Sequence, residues 1–525
     1  APSRVCPRPR PARTSTLRRA GARPAAALTP PAMSSPVLLR SPSQTSADQL
    51  AAAIQALYDS SNPHGQQEAN TWLQAFAPTE HAWEPCVSLL SPGRPTEVRY
   101  FVANVLLSKV RQEWGGLPQE TRGVLTGALS AKLSETADAP VVAERLCLAL
   151  GAQAAGSGPE SAVQFTRQAL GLGGAQAQLA LSLLTALAEE ANDAQWNRRN
   201  ELALAVSPLL PDVLSCCQSV AGGAEGAVEA ALRCARVWAK LSPDGGCEIA
   251  VSPGQLVASH QGLFGLALHA VGSESESLVE RATDLLVDLF VPGAEGAPEA
   301  EQAAAAGVMQ LLLSQRARAM EPGEEELARH LCRLAAALCE RHTEAVCRGE
   351  GDSLAVLQLV LELARAHDRP VMEAAAEVLL MVNTVPVAQR HPSLGAPLFQ
   401  GAVDVCMRHA TLPASFTTWA EASGDVGDES TFNQFREQVL LDVLDSAYGQ
   451  LRSGYMQAAG ARLAAASSWQ EAEAAVFMVR CVGVSVKGHV FSSRRSEQGP
   501  ASEAAARDRE ETHQFLQALF ARLAE

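Results

Sequence analysis

Large rings are scarce in this 525-residue chain: 4 tyrosines, 13 phenylalanines and 7 tryptophans make up only 5% of it. Charged side chains reach 19%, against 47% hydrophobic. Alternating β-branched runs bounded by turn residues are hard to find, which removes the usual material of a sheet. Ala and Leu fill the space, and both lose little side-chain entropy in a helix. The expected fold is therefore all-α, with almost no sheet. At this length one compact core is excluded, leaving several domains or one repetitive array.

Chemistry is as thinly represented as aromaticity. There is no GxSxG, no HExxH and no GxxxxGK[ST] phosphate loop. His330 and His342 stand 12 apart on one helical pattern, too far to share a metal, and read as solvated or interface polar residues. The 12 cysteines contain no CxxC pair. Cys332 and Cys339 fall on one apolar stripe, as reduced, buried core thiols of an intracellular chain would. No enzyme, cofactor or metal site is expected. No apolar run reaches the roughly 18 residues of a membrane span, so membrane insertion is not expected either.

The net charge of −15 and pI near 5.3 make non-specific nucleic-acid binding unfavourable and suit basic protein partners. The same charge would also simply keep a large protein soluble. Residues 1–32 are the exception, with seven arginines, interleaved prolines and no acid. Residues 1–45 read as a disordered segment: translated upstream sequence before Met33, or a transit peptide whose prolines argue against an amphipathic helix.

From about residue 46 apolar stripes at helical spacing alternate with Gly/Pro/Ser breaks. Leu327, Leu331, Leu334 and Leu338 are one such stripe; Leu354, Leu357 and Leu361 another; Phe432, Phe435, Val439 and Val443 a third. Strong first helices are expected near residues 97, 140, 177, 226, 275, 325, 371, 431 and 470. Starts separated by roughly 40–60 residues match the length of a HEAT or armadillo repeat. A helix pair cannot bury its face alone, so neighbours must stack. The expected architecture is a right-handed α-solenoid of about ten antiparallel HEAT-type pairs.

The rings that do occur are concentrated at the start of this array. "LYDSSNPHGQQEANTWLQAFAPTEHAW", residues 57–83, holds two tryptophans, a phenylalanine and a tyrosine. Trp72, Trp83 and Trp114 are expected as structural anchors, because a terminal repeat packs on one side only and Trp buries a large area.

The order Leu57-Tyr58, Pro63, Trp72-Leu73, His81-Ala82-Trp83 resembles the N-terminus of the importin-β (karyopherin-β) family, in its transportin-3 and importin-13 branch. "EVRYFVANVLLSKVRQEWGGLP" resembles that branch's second repeat, with Tyr100, Phe101, Ala103 and Leu117-Pro118. The fourth repeat is echoed by Leu184, Leu187, Glu189-Glu190 and Asn197-Arg198-Arg199, and later repeats by "FNQFREQVLLDVLDSAY" and "WQEAEAAVFMVRCVG". Family members are about twice as long, so the array is expected to be part of a longer one.

The resemblance implies a nuclear transport receptor shuttling between cytoplasm and nucleus through the nuclear pore. Its implied partners are Ran-GTP, protein cargo such as SR-type splicing factors, and FG-repeat nucleoporins, with no nucleic acid. The arginine-rich helix that grips RS cargo in that branch has no counterpart here. Residues 46–220 would form the Ran-binding repeats and 221–525 further repeats. Ran would meet the second helices of the first pairs, near residues 82–91, 118–133 and 159–171, together with Arg99, Asn104 and Lys109. Glu421, Asp425, Asp428 and Glu429 form an acidic loop that could meet basic cargo or Ran. Periodicity alone equally fits a HEAT scaffold unrelated to Ran, and an exportin of the same family would share every motif.

Overall fold

Leu327, Leu331, Leu334 and Leu338 lie at most 4% exposed along one helix, and repetition of that stripe builds the molecule. The computed structural model describes residues 46–524, apart from 137, 173, 243–248, 295, 417–427 and 492–499. Among the described residues there is no strand.

The helices run, from the N-terminus, α1 (Ala47–Tyr58), α2 (Pro63–Phe76), α3 (Trp83–Leu89), α4 (Thr96–Glu113), α5 (Gln119–Ser134), α6 (Pro140–Ser157), α7 (Pro159–Leu170) and α8 (Ala177–Asn192). Then follow α9 (Trp196–Val206), α10 (Leu210–Ser219), α11 (Glu225–Ala239), α12 (Pro253–Ser259), α13 (Gln261–Val271), α14 (Glu276–Leu289), α15 (Pro298–Ser314) and α16 (Arg316–Ala319). The rest are α17 (Glu325–Arg341), α18 (Thr343–Arg348), α19 (Ser353–Ala366), α20 (Arg369–Thr384), α21 (Ala396–Ala410), α22 (Asp428–Phe435), α23 (Leu441–Leu451), α24 (Ser453–Ala465), α25 (Trp469–Cys481), α26 (Gly483–Phe491) and α27 (Pro500–Ala524).

These helices form two layers of a solenoid. In the first, α4, α6, α8, α11, α14, α17 and α20 stack each on the next. In the second, α7, α9 with α10, α13, α15, α19 and α21 do the same, and α3 meets α5. The nine expected first-helix starts fall within three residues of α4, α6, α8, α11, α14, α17, α20, α22 and α25. Proline at the first turn opens α6, α7, α15 and α20, where its missing N–H has no helical partner to lose.

Small residues let the layers close. Gly151 of α6 faces Ala186 of α8 with no room for a side chain between them. Where bulk is used it is tied down: Trp238 of α11 is 1% exposed and donates Nε1–H to the Leu184 carbonyl of α8 at 2.9 Å.

Three sequence expectations change. His330 is 3% exposed, a core residue rather than a solvated one. The stripe Phe432-Phe435-Val439-Val443 does not lie on one uninterrupted α-helix, because a π turn at Arg436–Leu440 separates α22 from α23. That turn aims Arg436 inward, 3% exposed, between the Phe432 and Phe477 rings and onto Glu473 at 2.8 Å. Finally, Trp196–Ser219 is long and apolar enough to cross a membrane. It is broken by the 3₁₀ turn Ser207–Leu209, and Leu202, Val206, Val213 and Leu214 are buried between repeats.

Candidate functional site

The first repeats are organised around α4. Its apolar stripe passes through Val102, Ala103, Leu106 and Val110, and Arg99 and Lys109 continue that stripe instead of facing solvent. Arg99 is 1% exposed. Its Nη1 and Nη2 donate to the two Asp138 carboxylate oxygens at 2.6 and 3.1 Å, a bidentate pair just before α6. The hydrogen bonds from Arg99 hold the Asp138 carboxyl below its usual range. Lys109, 2% exposed, donates to Glu113 at 2.8 Å and to the Thr79 carbonyl at 2.9 Å, and sits 5.1 Å above the Trp83 ring.

Expected as contacts to Ran, Arg99 and Lys109 are thus packing residues whose charges are engaged inside the chain. A buried guanidinium or ammonium keeps its partners because the alternative is an unpaired charge away from water. Asn104 is half-buried and donates to the Tyr100 carbonyl at 3.1 Å.

The tryptophans frame the same junction. Trp83 and Trp114 are 8% and 2% exposed. Trp114 Nε1–H donates to Ser157 Oγ at 2.7 Å, tying the end of α4 to the end of α6. Trp72 is half-buried and stacks on Phe76 with ring centroids 5.2 Å apart. Glu421 and Asp425 lie outside the described residues. Asp428 and Glu429 open α22, and their side chains also lie outside them.

The Glu189-Glu190 pair and the Asn197-Arg198-Arg199 triplet have a structural role that spacing did not reveal. Glu189 accepts from Arg233 at 2.8 Å, and Glu190 accepts from Arg111 of α4. Arg198 donates to the Ala155 carbonyl at 2.8 Å and Arg199 to the Lys240 carbonyl at 2.7 Å, capping the ends of α6 and α11. The same clamping continues along the first layer. Arg236 of α11 meets Asp284 and Asp288 of α14 at 2.6 and 2.5 Å, and Arg333 of α17 meets Asp284 at 2.9 Å.

The second layer is clamped by histidines. His260, His367 and His409 are buried and donate Nε2–H to the carbonyls of Pro211, Ala319 and Ala364 at 3.1, 2.6 and 2.7 Å. Each bond reaches back 45 to 49 residues, about one repeat. Among the described residues no group of His, Cys, Asp and Glu could hold a metal ion.

No family model matches the chain. Among curated proteins it is similar to human importin-13, 27% identical over 321 residues, covering 56% of this chain and 31% of that protein. Bovine importin-13 is 26% identical over 329 residues, with the same shares. A solved structure described as importin-13 in its cytosolic state superposes with a TM-score of 0.52 and 18% identity, over 76% of this chain and 49% of that one. The similarity is to members of the importin-β family, over about half of this chain. The match spans less than a third of the curated relatives' own length.

The second-layer surface of α5, α7 and α9 carries several exposed apolar side chains. Val124 of α5 is 69% exposed, and Trp196 and Leu204 of α9 are 57% and 67% exposed. Between α7 and α9 lies an open groove of about 660 Å³, lined by Glu160, Val163, Gln164, Arg167 and Ala205 among others. Exposed apolar side chains on α5 and α9 thus accompany a groove that carries Glu160 and Arg167 beside Val163 and Ala205.

Proposed function

We propose that this chain is a nuclear transport receptor that carries protein cargo and exchanges it under the control of Ran-GTP. The observation that carries the reading is the similarity to importin-13 over 321 residues, on a helical solenoid. The Ran-binding face is assigned to the second-layer helices α3, α5 and α7, extended by Val124, Leu204 and the groove beside Val163. Arg99, Asn104 and Lys109 serve that face indirectly, by fixing α4 beneath it. FG-repeat nucleoporins would contact the first layer, and Glu421, Asp425, Asp428 and Glu429 would meet basic cargo. The receptor would shuttle between cytoplasm and nucleus.

The mechanism is linkage. Ran-GTP and import cargo favour different spacings of the repeats, so each weakens the other by one coupling free energy. Small rotations at each clamped junction add along a solenoid. The test is the affinity of the chain for Ran loaded with a non-hydrolysable GTP analogue against Ran-GDP. A strong preference for the GTP form supports the reading, and binding to neither form overturns it. Cargo bound more tightly in the presence of Ran-GTP would reverse the direction to export.

A further inference from the structure

Helices α10 of the second layer and α11 of the first pack against each other, and three cysteines gather at their contact. Cys217 of α10 and Cys234 of α11 are fully buried, whereas Cys216 is half-buried at the edge of the same cluster. All three are free thiols. The Cys217 S–H donates to the Cys234 sulfur, and this bond together with burial pushes the Cys217 thiol up. Cys216 is raised by desolvation and, beyond that, by Cys234, whose sulfur lies within electrostatic reach.

The other buried thiols are placed differently. No cysteine acts on Cys86, Cys147 or Cys332. Cys339 feels Cys347, and Cys406 feels Cys481, through electrostatics without a thiol–thiol hydrogen bond. A disulfide tolerates little separation and needs its two Cβ atoms turned toward each other. Two thiols already bonded across a helix pair meet that demand with side-chain rotation alone. In a reducing compartment bonds of this kind are transient and redox-sensing rather than permanent.

We propose that Cys216, Cys217 and Cys234 form an oxidation site for peroxides, entered at Cys216 and closed as a disulfide between Cys217 and Cys234. The Cys216 sulfur attacks one peroxide oxygen. The S–O bond forms, the O–O bond breaks, and the departing hydroxide takes the thiol proton as a first water. The Cys234 sulfur then attacks that of Cys216. The S–S bond forms, the S–OH bond breaks, and the hydroxide leaves with the Cys234 proton as a second water. Finally Cys217 displaces Cys216 from the Cys234 sulfur and passes its proton to the departing thiolate. Two thiols have given two electrons to one peroxide, and Cys216 is free again. The new bond ties α10 to α11. Since α11 already holds α8 through Trp238 and α14 through Arg236, oxidation stiffens the array at this repeat. The inference stands apart from Ran and from the transport reading.

The experiment titrates the full chain with hydrogen peroxide, alkylates the remaining thiols in urea, and maps the products by non-reducing peptide mass spectrometry. The parent is expected to give a Cys217–Cys234 bridge that dithiothreitol removes, while Cys86 and Cys147 stay reduced. Cys216→Ser should slow the bridge by about tenfold or more, since each unit by which a thiol is raised cuts its thiolate fraction tenfold. Cys234→Ser should leave Cys216 as a sulfenic acid that dimedone traps. The bridged parent should unfold at higher urea than the reduced one, because the cross-link restricts the unfolded chain. Four outcomes overturn the proposal: Cys217 and Cys234 still reduced when Cys216 has reached sulfinic acid, Cys86 and Cys147 oxidised alongside them, a bridge that forms as fast in Cys216→Ser, or a bridged chain that unfolds no later than the reduced one. Three of these are read on the parent chain alone and hold whatever the serine variants do to folding, which circular dichroism checks.

Discussion

Gly151 and Ala186 approach so closely that a Cβ on the glycine would lie 2.7 Å from the Ala186 carbonyl carbon and 2.8 Å from the Leu187 nitrogen. Both obstacles are backbone, so neither can rotate away. Gly151→Ala should therefore push α6 and α8 apart and cost about 1–3 kcal/mol, the range of an overpacked core. Gly123 on α5 has nothing within 4 Å of its Cβ position. Gly123→Ala should be neutral or stabilising by about 0.5–1 kcal/mol, the helix cost of glycine. Urea unfolding of the two variants decides it, and equal midpoints would show that the α6–α8 contact is not as tight as described.

Arg99 and Asp138 give an asymmetric pair. The arginine is 1% exposed at its side chain and the aspartate 59%. Arg99 Nε already lacks a hydrogen-bond partner. Asp138→Asn leaves a buried guanidinium without its counter-charge, whereas Arg99→Met leaves an aspartate that water can solvate. Asp138→Asn should accordingly destabilise more than Arg99→Met. The pair also predicts a pH dependence. Asp138 is depressed in the folded state, so its stabilisation is complete above the unfolded carboxyl value of about 3.9. It is lost as pH falls from there through the lower folded value. Thermal unfolding from pH 5 downward should steepen in the parent relative to Asp138→Asn, and parallel curves would remove the pair from the account.

The helix starts were legible because each first-layer helix carries its own apolar stripe and a Gly/Pro break before it. The burial of Arg99 and Lys109 was misread, although both share a helical face with Val102, Leu106 and Val110. Their charge argued for the surface, and the periodicity outranked it. The clamps were not legible. Arg236 with Asp284, or His409 with Ala364, pairs groups one repeat apart, and only stacking brings them together. Nor was the π turn at Arg436–Leu440, because Phe432, Phe435, Val439 and Val443 keep an acceptable helical spacing on either side of it.

His409 turns one of those clamps into a pH-sensitive joint. Desolvation lowers its imidazole below the usual histidine value. Its bond to the Ala364 carbonyl and Asp368 favour the charged form, while Arg408 and Arg369 oppose it. A depressed folded value means that stability is complete above the unfolded value of about 6.5 and is lost as pH falls through and below it. His330 and His342 are lowered in the same sense, again mainly by desolvation. His409→Gln should reduce, without abolishing, the loss of stability between pH 7.5 and 5.5. The measurement is the unfolding free energy at each pH, and an unchanged slope would exclude His409 as a contributor.

The thiols report on the repeats individually. Burial pushes Cys86, Cys147, Cys332 and Cys339 up to about 12, so at neutral pH none offers an appreciable thiolate fraction. Cys216 is only half-buried and its shift is smaller in kind, a raised value without full enclosure. Alkylation of the native chain at pH 8, mapped by mass spectrometry, should therefore modify Cys216 well before any of those four. Cys332 and Cys339 sit on α17, stacked between α14 and α20, so their exposure requires the first layer to part. Their labelling should follow global unfolding in urea, whereas labelling of Cys216 should already be advanced below the transition. If Cys332 reacted as early as Cys216, the stacking of α14, α17 and α20 would have to open locally in the native state.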